Sequence, residues 1–438
     1  MVGRIAQVVN QLPVLRQLFT FLHLVRKEGG KAAWSASLSW LRILNCQIPR
    51  LNERQYVQHL FAGDSRPIII FPPLVNWHIP LYQRPQHVAL QLAQMSFLYF
   101  FCTDNRQYDD VKGFERISDS LYLTNRFKKL CKTRPRRIVH LYSSDNRTTW
   151  DFVDQELNRG NLVLYEFIDE ISHKVSGFTI PAHTLEKHNN ILRDERCMVI
   201  ATADKLYQEV LRYRSNNCAL VTNGVDFDHF SREFQHDALP GILKELVAVG
   251  RPIIGYFGAL ASWFDYDLLL RVARQRPDYQ ILLIGWDYDT SLGQYDLQQC
   301  SNITVIGPVP YEDLPRYACW FDVAVIPFKI NEITESTSPI KVFEYMALGK
   351  PIVTTGMPEC RKYRSVLIGE DDDDFIAKLD LALTLRNDEA YLTLLKMEAK
   401  ENTWEKKAGV IADLIRQNLA GLTERLTSQA QGRATVNR

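Results

Sequence analysis

From Pro67 onward, short apolar runs alternate with stretches whose apolar positions recur at helical spacing. The runs Pro67–Phe71, Phe97–Phe101, Arg137–Tyr142, Asn161–Ile168, Met198–Thr202 and Ala219–Val221 are four to eight residues long and read as buried strands. Between them, helical patterns start at Arg84-Pro85 and cover 147–158, 182–194 and 203–213. A second series of the same texture follows. Strands are expected at Pro252–Gly258, Gln280–Ile284, Ile303–Ile306, Asp322–Ile326 and Pro351–Thr355, with helices at Tyr266–Gln275, Tyr311–Trp320, Phe375–Leu383 and 404–422. Strands alternating with helices predict parallel sheets covered on both faces. The expected fold is therefore α/β with two Rossmann-like domains.

Residues 1–60 have a different pattern. Two amphipathic helices are expected there, one with Leu15, Leu18, Phe19 and Leu22 on a face, the other containing Trp34, Leu38, Trp40, Leu41 and Leu44. Arginine and lysine outnumber acidic residues in this α-helical N-terminal extension. Such helices fit an anionic membrane surface, the body of the protein, or a dimer contact. The most apolar stretch, Leu12–Val25, is interrupted by Arg16, Gln17 and His23 and is too short to span a bilayer. The expected domain limits are 1–60, 61–235, 236–400 and a C-terminal helix and tail at 401–438.

Composition narrows the classes. With 438 residues, 46% hydrophobic and a formal net charge of +1, the chain can bury two cores and has no global basic surface for nucleic acid. Eight scattered cysteines show no CxxC or zinc spacing, which fits a reducing cytoplasm. Asp371–Asp374 precedes a helix and reads as dipole-complementing acid rather than a metal site. No GxGxxG follows the first strand, so a dinucleotide cofactor is not expected.

The densest chemistry lies in Asn331–Thr355, NEITESTSPIKVFEYMALGKPIVTT. A polar loop, 331–338, leads into a helix with Ser338 expected as N-cap and Pro339 as its first residue. Lys341 and Glu344 fall on one helix face, and Gly349 supplies the stop. A helix tip with free amides, a cation and a carboxylate suits a phosphate and a neighbouring polyhydroxyl group. The same spacing describes a solvated Lys–Glu pair.

The run PIKVFEYMALGKPIVTT resembles the donor-binding signature of group 1 (family 4) glycosyltransferases, in which a Glu stands eight residues before a second Glu. Glu344 matches the second; Ser336 stands where the first is usual. Trp77-His78 and Arg84-Pro85-Gln86-His87 resemble a first-loop pattern of the same family, and Thr222–Asp226 resembles the segment before its second domain. The resemblance implies a GT-B architecture, two Rossmann-like domains facing across a cleft. It also implies a retaining, metal-independent transfer of a hexose-type sugar from a nucleotide-diphosphate sugar to a glycan or lipid-linked acceptor.

Carried over residue by residue, the donor would be held by Glu344 at the ribose, by Ser336, Thr337, Ser338 and Ile340 at the diphosphate, by Gly258 and Trp263 beside the glycine loop, and by Val309 near the base. Lys341, Arg84, Asp169 and His78 are the catalytic candidates. The donor is a substrate, so no cofactor is expected, and the protein is expected in the cytoplasm, peripheral to the inner membrane face if residues 1–60 bind lipid. The loop Ala259–Asp267 has no cation before Arg271, where relatives often carry an Arg and a Lys. That departure keeps open a catalytically inert sugar-nucleotide-binding or partner protein. A nucleotide-sugar epimerase has less support.

Overall fold

The structure, a computed structural model, describes residues 64–80, 82–133, 136–171, 179–234 and 239–436. The two amphipathic helices expected in residues 1–60 lie outside the described residues. The described residues divide into two compact units, one comprising 64–79 together with 97–133, the other those of 80–96 and those from 136 onward.

In the first unit, β1 (Ile68–Phe71), β2 (Leu98–Cys102) and β4 (Leu121–Thr124) run parallel, and β3 (Phe114–Arg116) pairs antiparallel to β4. The order is β3-β4-β2-β1. β1, β2 and β4 are wholly buried, as expected for strands covered on both faces.

The second unit holds two parallel sheets. One is β5 (Arg137–Tyr142), β6 (Leu162–Phe167), β7 (Cys197–Ala201) and β8 (Cys218–Leu220) in that order. The other runs β11-β10-β9-β12-β13-β14, with β9 at Ile253–Phe257, β10 at Gln280–Ile284, β11 at Ile303–Ile306, β12 at Val323–Ile326, β13 at Ile352–Thr355 and β14 at Val366–Gly369. The strand order reverses beside β9, and at such a switch point the loops diverge and leave a ligand crevice.

The helices used below are α1 (Arg84–Gln94), α2 (Trp150–Asn158), α3 (Ala182–Arg193), α4 (Asp204–Leu211), α5 (Tyr266–Gln275), α6 (Ile340–Ala347), α7 (Asp372–Leu385), α8 (Glu389–Glu401) and α9 (Trp404–Val436). α7 starts with Asp371, whose side chain accepts the Asp374 amide, while Asp372 and Asp373 pair with Arg271 of α5. This acidic run caps and docks a helix. α9 returns to pack on α1, where Arg416 donates to the Met95 carbonyl at 3.2 Å. The chain crosses between the two sheets of this unit twice. The crossings are zipped together: Val225 donates to Asn402 O at 3.0 Å and Trp404 donates to Val225 O at 3.0 Å. Gly224 permits that approach, since a Cβ there would stand 2.8 Å from the Asn402 oxygen.

Candidate functional site around the start of helix α6

α6 begins at Ile340, one residue later than the sequence suggested, with Pro339 in the N-cap position. Ser338 does not cap it. Its hydroxyl accepts the Asn223 amide at 3.3 Å and its carbonyl accepts Asn223 Nδ2 at 2.6 Å. A partner 115 positions away has thus taken over the serine; the Val342 amide bonds Pro339 O at 3.3 Å, while those of Ile340 and Lys341 have no acceptor among the described residues and stay available. The preceding loop contains one helical turn, Glu332–Glu335, capped by Asn331. Ser336 and Thr337 turn their hydroxyls back onto it, Ser336 Oγ to Glu332 O at 3.0 Å and Thr337 Oγ1 to Ile333 O at 2.6 Å.

The pair at the heart of the motif is not a solvated one. Glu344 is 4% exposed, and its carboxylate takes no hydrogen bond among the described residues. Desolvation raises its pKa, and the Lys341 ammonium on the same face opposes that rise. Lys341 is partly accessible, yet the density around its head group lowers its own pKa, with Glu344 acting the other way. Its Nζ lies 5.5 Å from the Tyr256 ring centre and 5.8 Å from that of Phe328, within cation–π range.

Gly258 makes room for this lysine. A Cβ at Gly258 would collide with Lys341 Cε and stand 2.6 Å from Nζ, and its φ of +136° suits glycine alone. A Cβ at Gly285, after β10, would collide with the Gly258 carbonyl. Two strand ends therefore touch through glycines, with Lys341 lodged beneath them. Tyr345 Oη accepts the Phe257 amide at 3.1 Å and Tyr256 Oη donates to Ala259 O at 2.8 Å, which fixes strand and loop against α6.

Arg84 opens α1 and is 5% exposed. Its Nε bonds Glu166 of β6, and its Nη1 donates to Thr222 O at 3.1 Å and Asn223 Oδ1 at 3.2 Å. Glu166 also meets His140 Nε2 of β5 at 2.7 Å. Burial alone would raise the Glu166 pKa, but Arg84 and His140 outweigh it and bring it to about 2. A continuous chain thus runs from His140 through Glu166, Arg84 and Asn223 to Ser338 at the foot of α6.

The other candidates are more dispersed. Asp169, just past β6, is half-buried, and desolvation lifts its pKa to about 7. Beside it Glu170 pairs with Lys205 at 2.9 Å, and Lys205 reaches Glu335 at 3.3 Å. Trp263 packs against Tyr288, ring centres 5.5 Å apart, in the loops after β9 and β10. Val309 is half-buried beside the second sheet's core. His78 belongs to the first unit, where its Nδ1 is 3.0 Å from Asp109 Oδ1 and its side chain is half exposed. The structure therefore gathers Lys341, Glu344, Gly258, Ser338, Ile340 and Arg84 around one helix start.

Several participants were not singled out from the sequence. Glu166 and His140 were lone polar residues inside apolar strand runs, a signal in plain view. Tyr311 is sandwiched between His229 and Tyr82, with ring centres 4.5 and 5.2 Å away and planes within 18°. Its buried hydroxyl has no partner, and its pKa is raised by desolvation and then by the negative field of Glu344, which places it near that carboxylate. Lys407, on α9, gave no sequence signal.

Residues 251–384 match the family model for glycosyl transferases group 1. The protein named as teichuronic acid biosynthesis glycosyltransferase TuaH of Bacillus subtilis (strain 168) is 26% identical over 217 residues, 47% of this chain and 53% of that protein. The match thus spans about half the length of this curated relative. Among solved structures, Anabaena Alr3699/HepE in complex with UDP superposes with a TM-score of 0.60 at 11% identity, covering 80% of this chain and 100% of that one. WaaG, a glycosyltransferase involved in lipopolysaccharide biosynthesis, gives 0.53 at 12% identity, covering 80% and 99%. At such identities the superpositions establish the fold. Residues 251–384 belong to the glycosyl transferases group 1 family, and the chain that carries them has the GT-B fold.

Proposed function

We propose that the chain is a glycosyltransferase that moves a hexose-type sugar, with retention and without a metal, from a nucleotide-diphosphate sugar to a glycan or lipid-linked acceptor in polysaccharide or glycoconjugate biosynthesis. The observation that carries this reading is Glu344, 4% exposed, whose carboxylate takes no hydrogen bond among the described residues and which lies one turn from Lys341 at the open end of α6. A buried acceptor without a donor is costly unless a ligand supplies one, and vicinal ribose hydroxyls supply two. The first-turn amides then face the diphosphate. As the bond from the sugar's anomeric carbon to the diphosphate oxygen breaks, the electron pair leaves with that oxygen. Lys341 and the helix dipole stabilise the growing charge, and the acceptor oxygen bonds to the anomeric carbon as its proton passes to the departing diphosphate oxygen. The complex of UDP with Alr3699/HepE makes uridine nucleotides the first donors to test.

One observation favours a second reading. Arg271, the first cation after the glycine loop, is committed to Asp372 and Asp373, so the loop offers no cation to the leaving group. A chain of this kind could bind the donor without turning it over. Turnover assays with a panel of nucleotide sugars, with and without acceptor glycans, separate the two readings. Transfer or slow hydrolysis of a donor is expected, with k_cat/K_M falling by about tenfold or more in Glu344→Ala. Donor binding with no turnover of any kind would establish the inert binder instead, and a folded Glu344→Ala protein with wild-type K_M would refute the ribose contact.

A further inference from the structure

We propose that Arg84 and Lys407 form a phosphoryl-binding subsite beside the foot of α6, one that takes the oxygens of a diphosphate or a phosphate ester. Arg84 has committed two corners of its guanidinium, Nε to Glu166 and Nη1 to Thr222 and Asn223. The third corner, Nη2, is buried and has no hydrogen-bond partner. A buried donor of this kind on a charged group is a standing deficit that an anion's oxygen removes.

Lys407 provides an independent second observation. Its Nζ is held by Thr222 Oγ1 and Asn402 Oδ1, both at 2.7 Å and both neutral, and it lies 5.8 Å from the ring centre of Phe343. Among the described residues no carboxylate stands within ion-pair distance of it. Arg84 holds the carbonyl of the same threonine whose hydroxyl Lys407 holds. Two cations are thus fastened to Thr222, one at its carbonyl and one at its hydroxyl, and Glu166 pairs with the first of them. Desolvation and then repulsion from Arg84 and Lys362 bring the Lys407 pKa down to about 8. Lys362 is already neutralised by Glu359 at 2.7 Å and Asp204 at 2.9 Å. Arg84 is paired with Glu166, and Glu359 acts on Lys407 only from beyond ion-pair distance. Lys407 is therefore the cation of this cluster without a direct carboxylate partner among the described residues, next to the Asn223–Ser338 contact.

Phe343 and Glu344 are adjacent on α6 and point about 100° apart. Lys407 marks the Phe343 side, whereas Lys341 and Glu344 mark the other. A group bound by Arg84 and Lys407 is therefore reached from the helix tip by a different face from the one that meets the ribose. The phosphoryl group comes either from the nucleotide, whose diphosphate bends round the tip, or from a second molecule such as a phosphorylated acceptor. The nucleotide source rests on the donor reading above, and the second source does not.

Calorimetric titration of the full chain with inorganic pyrophosphate, inorganic phosphate and uridine tests this. Pyrophosphate or phosphate is expected to bind the wild type, and Lys407→Met and Arg84→Lys each to weaken it by about tenfold or more, the size of one charge-assisted hydrogen bond. Uridine binding is expected to survive both substitutions, and to be lost in Glu344→Ala while anion binding persists. Repeating the titration on UDP-saturated protein separates the sources. Loss of anion binding identifies the nucleotide's own diphosphate, and retention identifies a separate phosphoester. Wild-type protein that binds neither anion, or folded variants that both keep wild-type affinity, would overturn the subsite without touching the Glu344 assignment.

Discussion

Replacing Glu166 with glutamine tests the electrostatic spine that runs under the site. In the native protein Glu166 is fully buried between the Arg84 guanidinium and His140 Nε2, and its pKa falls from 4.5 to about 2. That fall corresponds to about 3 kcal/mol of stability at neutral pH. A folded-state pKa below the unfolded value means the contribution is complete above about pH 4.5 and is lost as pH falls towards 2. Glutamine keeps the shape and one acceptor oxygen but leaves Arg84 buried without its counter-charge, for which a cost of about 3–5 kcal/mol is usual. The two estimates agree in size. Urea denaturation of both proteins at a series of pH values between 3 and 7 is the assay. The gap between wild type and Glu166→Gln should be about 3 kcal/mol at pH 7 and should narrow steadily below pH 4.5. A gap of the same size at pH 3.5 and pH 7 would show that Glu166 is not held ionised by Arg84 and His140, and the reasoning would fail.

Gly258→Ala should lower stability by about 2–4 kcal/mol and raise the donor K_M, because the new methyl displaces Lys341 and the backbone there is strained for any other residue; unchanged melting would contradict both points. Lys205→Ala, by contrast, removes two largely exposed ion pairs, to Glu170 and Glu335, and is expected to shift stability by less than about 1 kcal/mol, with the small effect vanishing at 1 M salt in the same denaturation assay. Trp404→Phe removes an indole N–H that is buried without a partner but also part of a buried ring stacked on His87, so the cavity dominates and a loss of about 1–3 kcal/mol is expected in thermal melting; unchanged melting would contradict the packing of that ring.

How much of this was legible in the chain depends on where the determining contacts lie. The helix Tyr266–Gln275 and the strands Gln280–Ile284 and Ile303–Ile306 are found at the residues expected, since acidic, proline or glycine residues flank clear apolar runs. The β3–β4 hairpin was not foreseen, because β3 has three residues, of which Glu115 and Arg116 are exposed, too few for alternation to register. α8 escaped for a related reason: its buried residues are Leu395, Glu398 and Ala399, a stripe too narrow and too polar to show as amphipathic. In the site, the types and spacing of Lys341 and Glu344 were visible, but the burial of Glu344 and the enclosure of the Lys341 head group were not. The latter depends on Gly258 and Gly285 meeting across a strand end. The Ser338 expectation failed for the same kind of reason, since nothing local to residues 331–345 announces Asn223 as a competitor for that serine.

The placement of positive charge gives these details a common cause. In this chain the loop after β9 runs Gly258-Ala-Leu-Ala-Ser-Trp without a cation, and its glycine lets the lysine of α6 rise against the strand end from below. A side chain at Gly258 itself would enter the space that Lys341 fills. Further positive charge comes to the foot of α6 from outside the second sheet, through Arg84 on α1 and Lys407 on α9. Arg84 carries its own counter-charge in Glu166, which lets it stay buried and oriented with no ligand present. Lys407 has no carboxylate within ion-pair distance among the described residues, Glu359 acting on it only from farther away, and that asymmetry is what makes the pair a place for an anion rather than a closed structural ion pair.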